Sequence, residues 1–225
     1  MAVYLVTGAE KGIGRAIALN LHERGESVIA ACLNDSDEFR ELGLQVEANI
    51  DVTRNAPLRA LAERLSEAGT KIDVLISNAG IFRVVDRLGK IDYEEMRAHF
   101  EVNALGHLRV TEALLECLNK DAKVGLITSR FGSLGENTSG RCYAYRVSKG
   151  AANMVGINLW HDLEKLGLTV VMLHPGMVAT DMSAGSTGDF IQPEEAATGL
   201  IRQLDAAKLE DQPEFRHANG ELLPW

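Results

Sequence analysis

The sequence predicts an α/β fold: a doubly wound parallel sheet with helices on both faces, making three αβα layers in a single domain over residues 1–225. Three observations predict it. Short apolar runs alternate with helix-period segments along the whole chain. The apolar runs are continuous instead of alternating with polar residues, which means burial on both faces. A glycine-rich turn, Thr7 to Gly14, joins the first run to the first helix.

The strands are read as Val3–Val6, Ser27–Cys32, Ile72–Ser77, Lys123–Ser129 and Leu168–Pro175, with a weaker one at Leu44–Ile50. Helices fill the gaps. Gly14–Arg24 carries Ile17 and Leu21 on one face. Pro57–Ala68 places Leu58, Leu61 and Leu65 at spacings of three and four, with Thr53 as its candidate N-cap. Met96–Leu118 and Tyr143–Leu166 are read as two long helices, the second ended by Gly167. Right-handed crossovers then wind the sheet in both directions.

The chain has 225 residues, 46% hydrophobic and 24% charged, with a formal net charge of −9. That balance suits a globular protein and argues against nucleic acid or an anionic membrane as partner. Cys32, Cys117 and Cys142 have no metal-ligand spacing, and an odd number of scattered thiols suits a reducing compartment. The N-terminus, MAVYLVTG, lacks a basic region and a long apolar run, so the expectation is a cytoplasmic protein without signal peptide or membrane span. His107, His161 and His174 are scattered too, and no metal is expected.

The turn TGAEKGIG supplies Gly8, Gly12 and Gly14 where a chain must turn sharply and let a pyrophosphate approach backbone N–H groups at a helix N-terminus. This makes the sheet Rossmann-type. Further on, AYRVSKGA sets Tyr145 and Lys149 four residues apart, one helical turn, about 6 Å along the axis. A phenol titrates near about 10 and an amine near about 10.4. An ammonium close by is expected to lower the phenol's pKa and make Tyr145 a usable general acid/base. The small residues Gly150, Ala151 and Ala152 let something else pack close. Ser129 ends a strand, where its hydroxyl is placed to polarise a carbonyl.

Taken together these motifs resemble the short-chain dehydrogenase/reductase family. The pattern TGxxxGxG comes first, then Asp51-Val52, SNAG from Ser77 to Gly80, VNALG around Asn103, ITSRFG from Ile127 to Gly132, the Tyr145–Lys149 pair, and PGMVATDM from Pro175. The ending GELLPW and the stretch ENTSGRCYAYRVSK are similar to a subgroup of small carbonyl reductases related to C-factor and Sniffer proteins. The resemblance implies an NAD(P)-dependent oxidoreductase interconverting a carbonyl and a secondary alcohol. It implies Ser129, Tyr145, Lys149 and Asn103 as the catalytic set. It implies cofactor contacts from Gly8, Glu10, Lys11, Gly12, Ile13 and Gly14, from Leu33 and Asn34 after the second strand, and from Asp51 and Val52 at the adenine. Further contacts fall on Asn78, Ala79, Gly80, Thr128, Tyr145, Lys149, Pro175, Gly176, Val178 and Thr180. The alternative it leaves is an NAD(P)-binding regulatory or signalling protein of C-factor type with little turnover.

Two departures from the family pattern matter. Ser129 lies 16 residues before Tyr145, and the extra residues fall in the polar loop GENTSG, so Ser133 competes for the serine role. No acid or arginine stands at Cys32 or Leu33; with Lys11 in the glycine loop, the expected preference is slightly for NADP(H) over NAD(H). The two long helices carry enough apolar surface to predict a homodimer, with a tetramer as the alternative.

Overall fold

The computed structural model describes residues 1–185, 187–209 and 213–225. Strand β1 (Val3–Thr7) leads through the glycine turn into α1 (Gly12–Glu23), then β2 (Ser27–Ala31), α2 (Asp37–Glu41), β3 (Gln45–Glu47), α3 (Asn55–Glu67) and β4 (Ile72–Ser77). The second half runs α4 (Tyr93–Phe100), a π-helical turn at Glu101–Leu105, α5 (Gly106–Leu114), β5 (Leu118–Ile127), α6 (Tyr143–Leu163), β6 (Thr169–His174), α7 (Pro193–Ala206) and β7 (Phe215–His217). The seven strands lie in the order β3-β2-β1-β4-β5-β6-β7, and every pairing is parallel.

Two apolar layers hold the helices to the sheet. On one face Leu58, Leu61 and Leu65 of α3, Val110 and Leu114 of α5, and Leu159 of α6 pack on Leu5, Leu75, Val124 and Met172. On the other, Ile17 and Leu21 of α1 and Leu200 and Leu204 of α7 pack on Val6, Ile76 and Leu173. The three α3 leucines are at most 1% exposed, and burying each contributes about 1.5–3 kcal/mol. Sheet order reverses between β1 and β4. The crevice beyond their carboxyl ends is where doubly wound sheets bind ligands.

Several boundaries differ from those read in the sequence. The expected helix Met96–Leu118 starts earlier, at Tyr93, where Asp92 caps it by accepting from the N–H groups of Glu94 and Glu95. It is broken by the π turn, and Leu118 opens β5 instead of closing a helix. Thr53 is not the N-cap of α3: Arg54 holds that place without a side-chain bond, because the Thr53 hydroxyl donates to Asp51 Oδ1 at 2.7 Å. The expected strand Leu44–Ile50 shrinks to Gln45–Glu47, and α2, α7 and β7 were absent from the sequence reading.

Candidate active site

The glycine turn is built by bonds to both neighbouring strands. Gly8 and Gly12 take positive φ, +63° and +55°. The N–H groups of Gly8 and Ala9 donate to Ala31 O at the end of β2. Asn78, just past β4, donates through Nδ2 to Thr7 O at 2.9 Å and Gly8 O at 3.1 Å. In return the Thr7 hydroxyl accepts from the N–H groups of Asn78 and Ala79. A Cβ on Gly14 would lie 2.2 Å from Gly8 O and 2.5 Å from Asn78 Nδ2, so only glycine fits there. Thr7 is a positioning residue the sequence reading did not single out, although it opens the glycine motif.

These residues fit a dinucleotide. Lys11 is the N-cap of α1 and makes no side-chain cap bond, and the first turn carries no acid. Unpartnered N–H groups and the positive helix end therefore face the crevice, ready for a diphosphate. A Cβ on Gly12 would meet Thr180 Cγ2 at 3.5 Å, so the loop after β6 faces the glycine turn across the crevice. That loop is shaped by Gly176 at φ +93° and by backbone bonding of Ala179 to Ile191 beside buried Val178. Pro175 precedes it directly. At the far end Asp51 Oδ1 is engaged by Thr53, next to buried Val52. Leu33 is 51% exposed and Asn34 is exposed. Glu10 carries a buried Oε2 with no hydrogen-bond partner, and its charge helps raise the Cys32 thiol to about 12, after burial itself.

The four residues expected to carry the chemistry converge. Ser129 follows β5 in extended backbone and accepts from Phe131 N at 3.2 Å. Its hydroxyl is placed to pull the Tyr145 phenol's pKa down. Lys149, 4% exposed, donates from Nζ to Ile127 O at 2.9 Å, and Nζ lies 5.9 Å from the Tyr145 ring centre. A Cβ on Gly80 would be 3.3 Å from Asn103 Oδ1 and 3.6 Å from Lys149 Nζ, which brings those three positions together. Asn103 sits in the π turn, a deformation frequent at functional sites. It accepts Ile81 N at 2.8 Å and donates to Ile81 O at 2.9 Å and Ser148 Oγ at 3.0 Å. Thr128 bonds Asn153 at 2.7 Å and Leu173 O at 2.8 Å. Ser133 is held elsewhere: its hydroxyl accepts Glu136 N and donates to the Trp225 carbonyl.

The electrostatics differ from expectation at one point. The Tyr145 phenol is pushed up to about 12 by burial, and the group pulling it back is the Ser129 hydroxyl. The Lys149 amine has lost its charge before so high a phenol ionises. Burial pushes that amine down to about 8, and its donor is directed to Ile127 O. Phe82 and Phe131 flank Tyr145 at 4.9 and 5.9 Å between ring centres; no pattern in the sequence pointed to these walls. The buried His107, Nδ1 2.7 Å from Ser77 Oγ, is driven down to about 3 by desolvation and by Lys149, so it is neutral. Its place four residues after Asn103 on a helix was the legible signal. The small residues after Lys149 receive the turn after β5, since Gly132 O approaches Gly150 to 3.6 Å of a built Cβ.

Among the described residues no three His, Cys, Asp or Glu side chains are grouped to hold a metal ion, and no helix is long and apolar enough to cross a membrane. The family profile described as short chain dehydrogenase matches residues 2–189. The 1-hydroxy-2-glutathionyl-2-methyl-3-butene dehydrogenase of Rhodococcus sp. (strain AD45) is 49% identical over 227 residues, covering 100% of both chains. The C-signal of Myxococcus xanthus is 42% identical over 156 residues, covering 68% of this chain and 93% of the relative. The NADPH-bound carbonyl reductase from chicken fatty liver superimposes with a TM-score of 0.90 at 27% identity, covering 100% of both chains. The glycine turn, the Ser129–Tyr145–Lys149 cluster and these likenesses lead to one conclusion: the chain belongs to the short-chain dehydrogenase/reductase family of NAD(P)-dependent oxidoreductases.

Proposed function

We propose that the protein interconverts an alcohol and its carbonyl compound, with Tyr145 as general acid/base. A nicotinamide dinucleotide, when bound, supplies or accepts the hydride. In the reducing direction Tyr145 gives its proton to the carbonyl oxygen. A phenol held near about 12 is protonated at neutral pH and ready for that step. Ser129, whose hydroxyl pulls the phenol's pKa down, offers a second contact to the same oxygen, where a fixed dipole stabilises developing charge. Lys149 would hold the nicotinamide ribose, and Asn103, bonded to Ile81 and Ser148, would link the site to a proton path. Phe82 and Phe131 keep water from the reacting oxygen.

The observation that carries this reading is the convergence of three groups: Lys149 is buried with Nζ 5.9 Å from the Tyr145 ring centre, and the Ser129 hydroxyl pulls the Tyr145 phenol down. Tyr145→Phe is expected to lower kcat by ~10²–10⁴-fold with cofactor affinity nearly unchanged. Retained turnover in that variant refutes the role. The 49% identical Rhodococcus relative is named for an alcohol bearing a glutathionyl group, so hydroxylated thioethers belong in the assay beside simple carbonyls. The C-signal relative favours a second reading, NAD(P)-dependent signalling with little turnover. The intact acid–base set argues for turnover, and cofactor oxidation across a carbonyl panel separates the two.

For the cofactor, exposed Lys11 favours a 2′-phosphate, worth ~0.2–1 kcal/mol for one exposed charge pair. Glu10 opposes it, so the preference for NADP(H) stays below about fivefold. Exposed Phe100 and Leu108 on α4 and α5, with Val147 and Met154 on α6, support a homodimer paired through these helices, a tetramer being the alternative. Three free, buried cysteines support a reducing, cytoplasmic setting.

A further inference from the structure

We propose that the cleft lined by Val85, Arg87, Lys90 and Arg141 binds the carboxylates of a peptide-like tail on the substrate, which makes the preferred substrate an anionic thioether alcohol. The inference rests on the alcohol–carbonyl reading above and adds a subsite to it.

The charge pattern is the first ground. The chain carries a formal net charge of −9, and its surface arginines are largely neutralised. Arg15, Arg24, Arg40, Arg64, Arg97 and Arg109 each face a carboxylate. Arg87, Lys90 and Arg141 make no ion pair among the described residues, and all three line one cavity of about 280 Å³. Three uncompensated cations in an acidic protein create a local field that draws an anion. Two guanidinium forks suit carboxylates, which they hold through paired N–H donors.

The second ground is that the cleft is built. Arg87 and Lys90 pair across an antiparallel bridge, closed by the bond from Lys90 N to Arg87 O at 2.9 Å. Opposite residues of such a pair project to the same side. Arg141 takes positive φ, +60°, before Cys142, whose N–H donates to Asp86 O at 2.9 Å. The Asp86 carboxylate, 5% exposed, turns inward and accepts Ala144 N at 3.2 Å. It therefore ties the two walls together without facing the cations as a partner.

The third ground is reach. Val85 is three residues from Phe82, whose ring centre is 4.9 Å from that of Tyr145, and Arg141 is four residues before Tyr145. At ~3.3–3.6 Å per extended residue these separations are at most about 11 and 14 Å. In a glutathionyl thioether the sulfur is on the central residue, so each carboxylate lies about two extended residues, roughly 7 Å, from it. With that reach, and the long side chains of Arg87 and Arg141 closing the remaining distance, sulfur near Tyr145 and a carboxylate in the cleft are compatible.

The test compares a hydroxyalkyl glutathione thioether with the same alcohol as its neutral methyl thioether, in wild type, Arg87→Ala/Arg141→Ala and Lys90→Glu. Calorimetry with S-methylglutathione gives a readout without turnover. Expected are a higher kcat/KM for the glutathionyl alcohol in wild type, falling as salt rises, and a KM for it raised about tenfold in the double variant with kcat little changed. S-methylglutathione binding should weaken in both variants. Equal loss on both alcohols, unchanged binding in the variants, or no salt dependence overturns the subsite. If wild type binds S-methylglutathione yet oxidises no alcohol and reduces no carbonyl, the subsite stands and the redox reading falls.

Discussion

Replacing Lys149 with methionine should stabilise the folded protein at neutral pH while damaging cofactor binding. The amine is 4% exposed and its pKa falls from 10.5 to about 8, by burial. The sign follows from linkage. In the unfolded chain the amine stays protonated up to about 10.5, whereas the fold disfavours the charged form. Below pH 8 both states carry the proton, and the fold bears the full penalty of about 3 kcal/mol, taken from a shift of roughly 2.5 units at about 1.36 kcal/mol each. Between pH 8 and 10.5 the unfolded state binds more protons, so wild-type stability rises with pH; by pH 10 the penalty is about 1 kcal/mol. Methionine has no such term. It also strands the Ile127 carbonyl, now bonded to Nζ at 2.9 Å, which costs about 1–3 kcal/mol at every pH. The informative quantity is therefore the change with pH. Denaturant unfolding of both proteins at pH 7 and pH 10 should show the variant losing about 2 kcal/mol of relative stability over that interval. A difference between variant and wild type that is flat with pH refutes the argument that burial dominates this lysine.

Ser129→Ala should lower kcat by ~10²–10³-fold, whereas Ser133→Ala should cost about 1–3 kcal/mol of stability through its lost bonds to Glu136 and Trp225, with only a few-fold loss of kcat; the reverse ranking in folded variants would exchange the two serines. Gly14→Ala should lose cofactor binding in equilibrium titration, because its Cβ meets Gly8 O at 2.2 Å; a variant that binds normally would show that the turn yields. Light scattering at micromolar concentration should give about twice the chain mass of 24.5 kDa, and a mass of one chain would refute pairing through α4, α5 and α6.

The sequence by itself determined the sheet and the loops that end on it. Continuous apolar runs can be strands only where both faces are covered, and β1, β2, β4 and β6 fall within a residue or so of the runs that named them. The glycine turn was legible because close backbone approach excludes side chains, and Tyr145–Lys149 because one helical turn sets their spacing. The interior of the second half was not. Leu118 continues a leucine periodicity, and only pairing with Ile72 of β4 makes it a strand residue. The π turn at Asn103 leaves no local signature; it is fixed by bonds to Ile81 and Ser148, 22 and 45 residues away in the chain. Nor did the motif reveal the state of the pair it named. A lysine one turn from a tyrosine lowers the phenol's pKa when both share solvent. Here burial brings the amine down to about 8 and the phenol up to about 12, so the amine is neutral before the phenol ionises. Burial is a property of the assembled layers, and it decides the charges that the spacing alone left open.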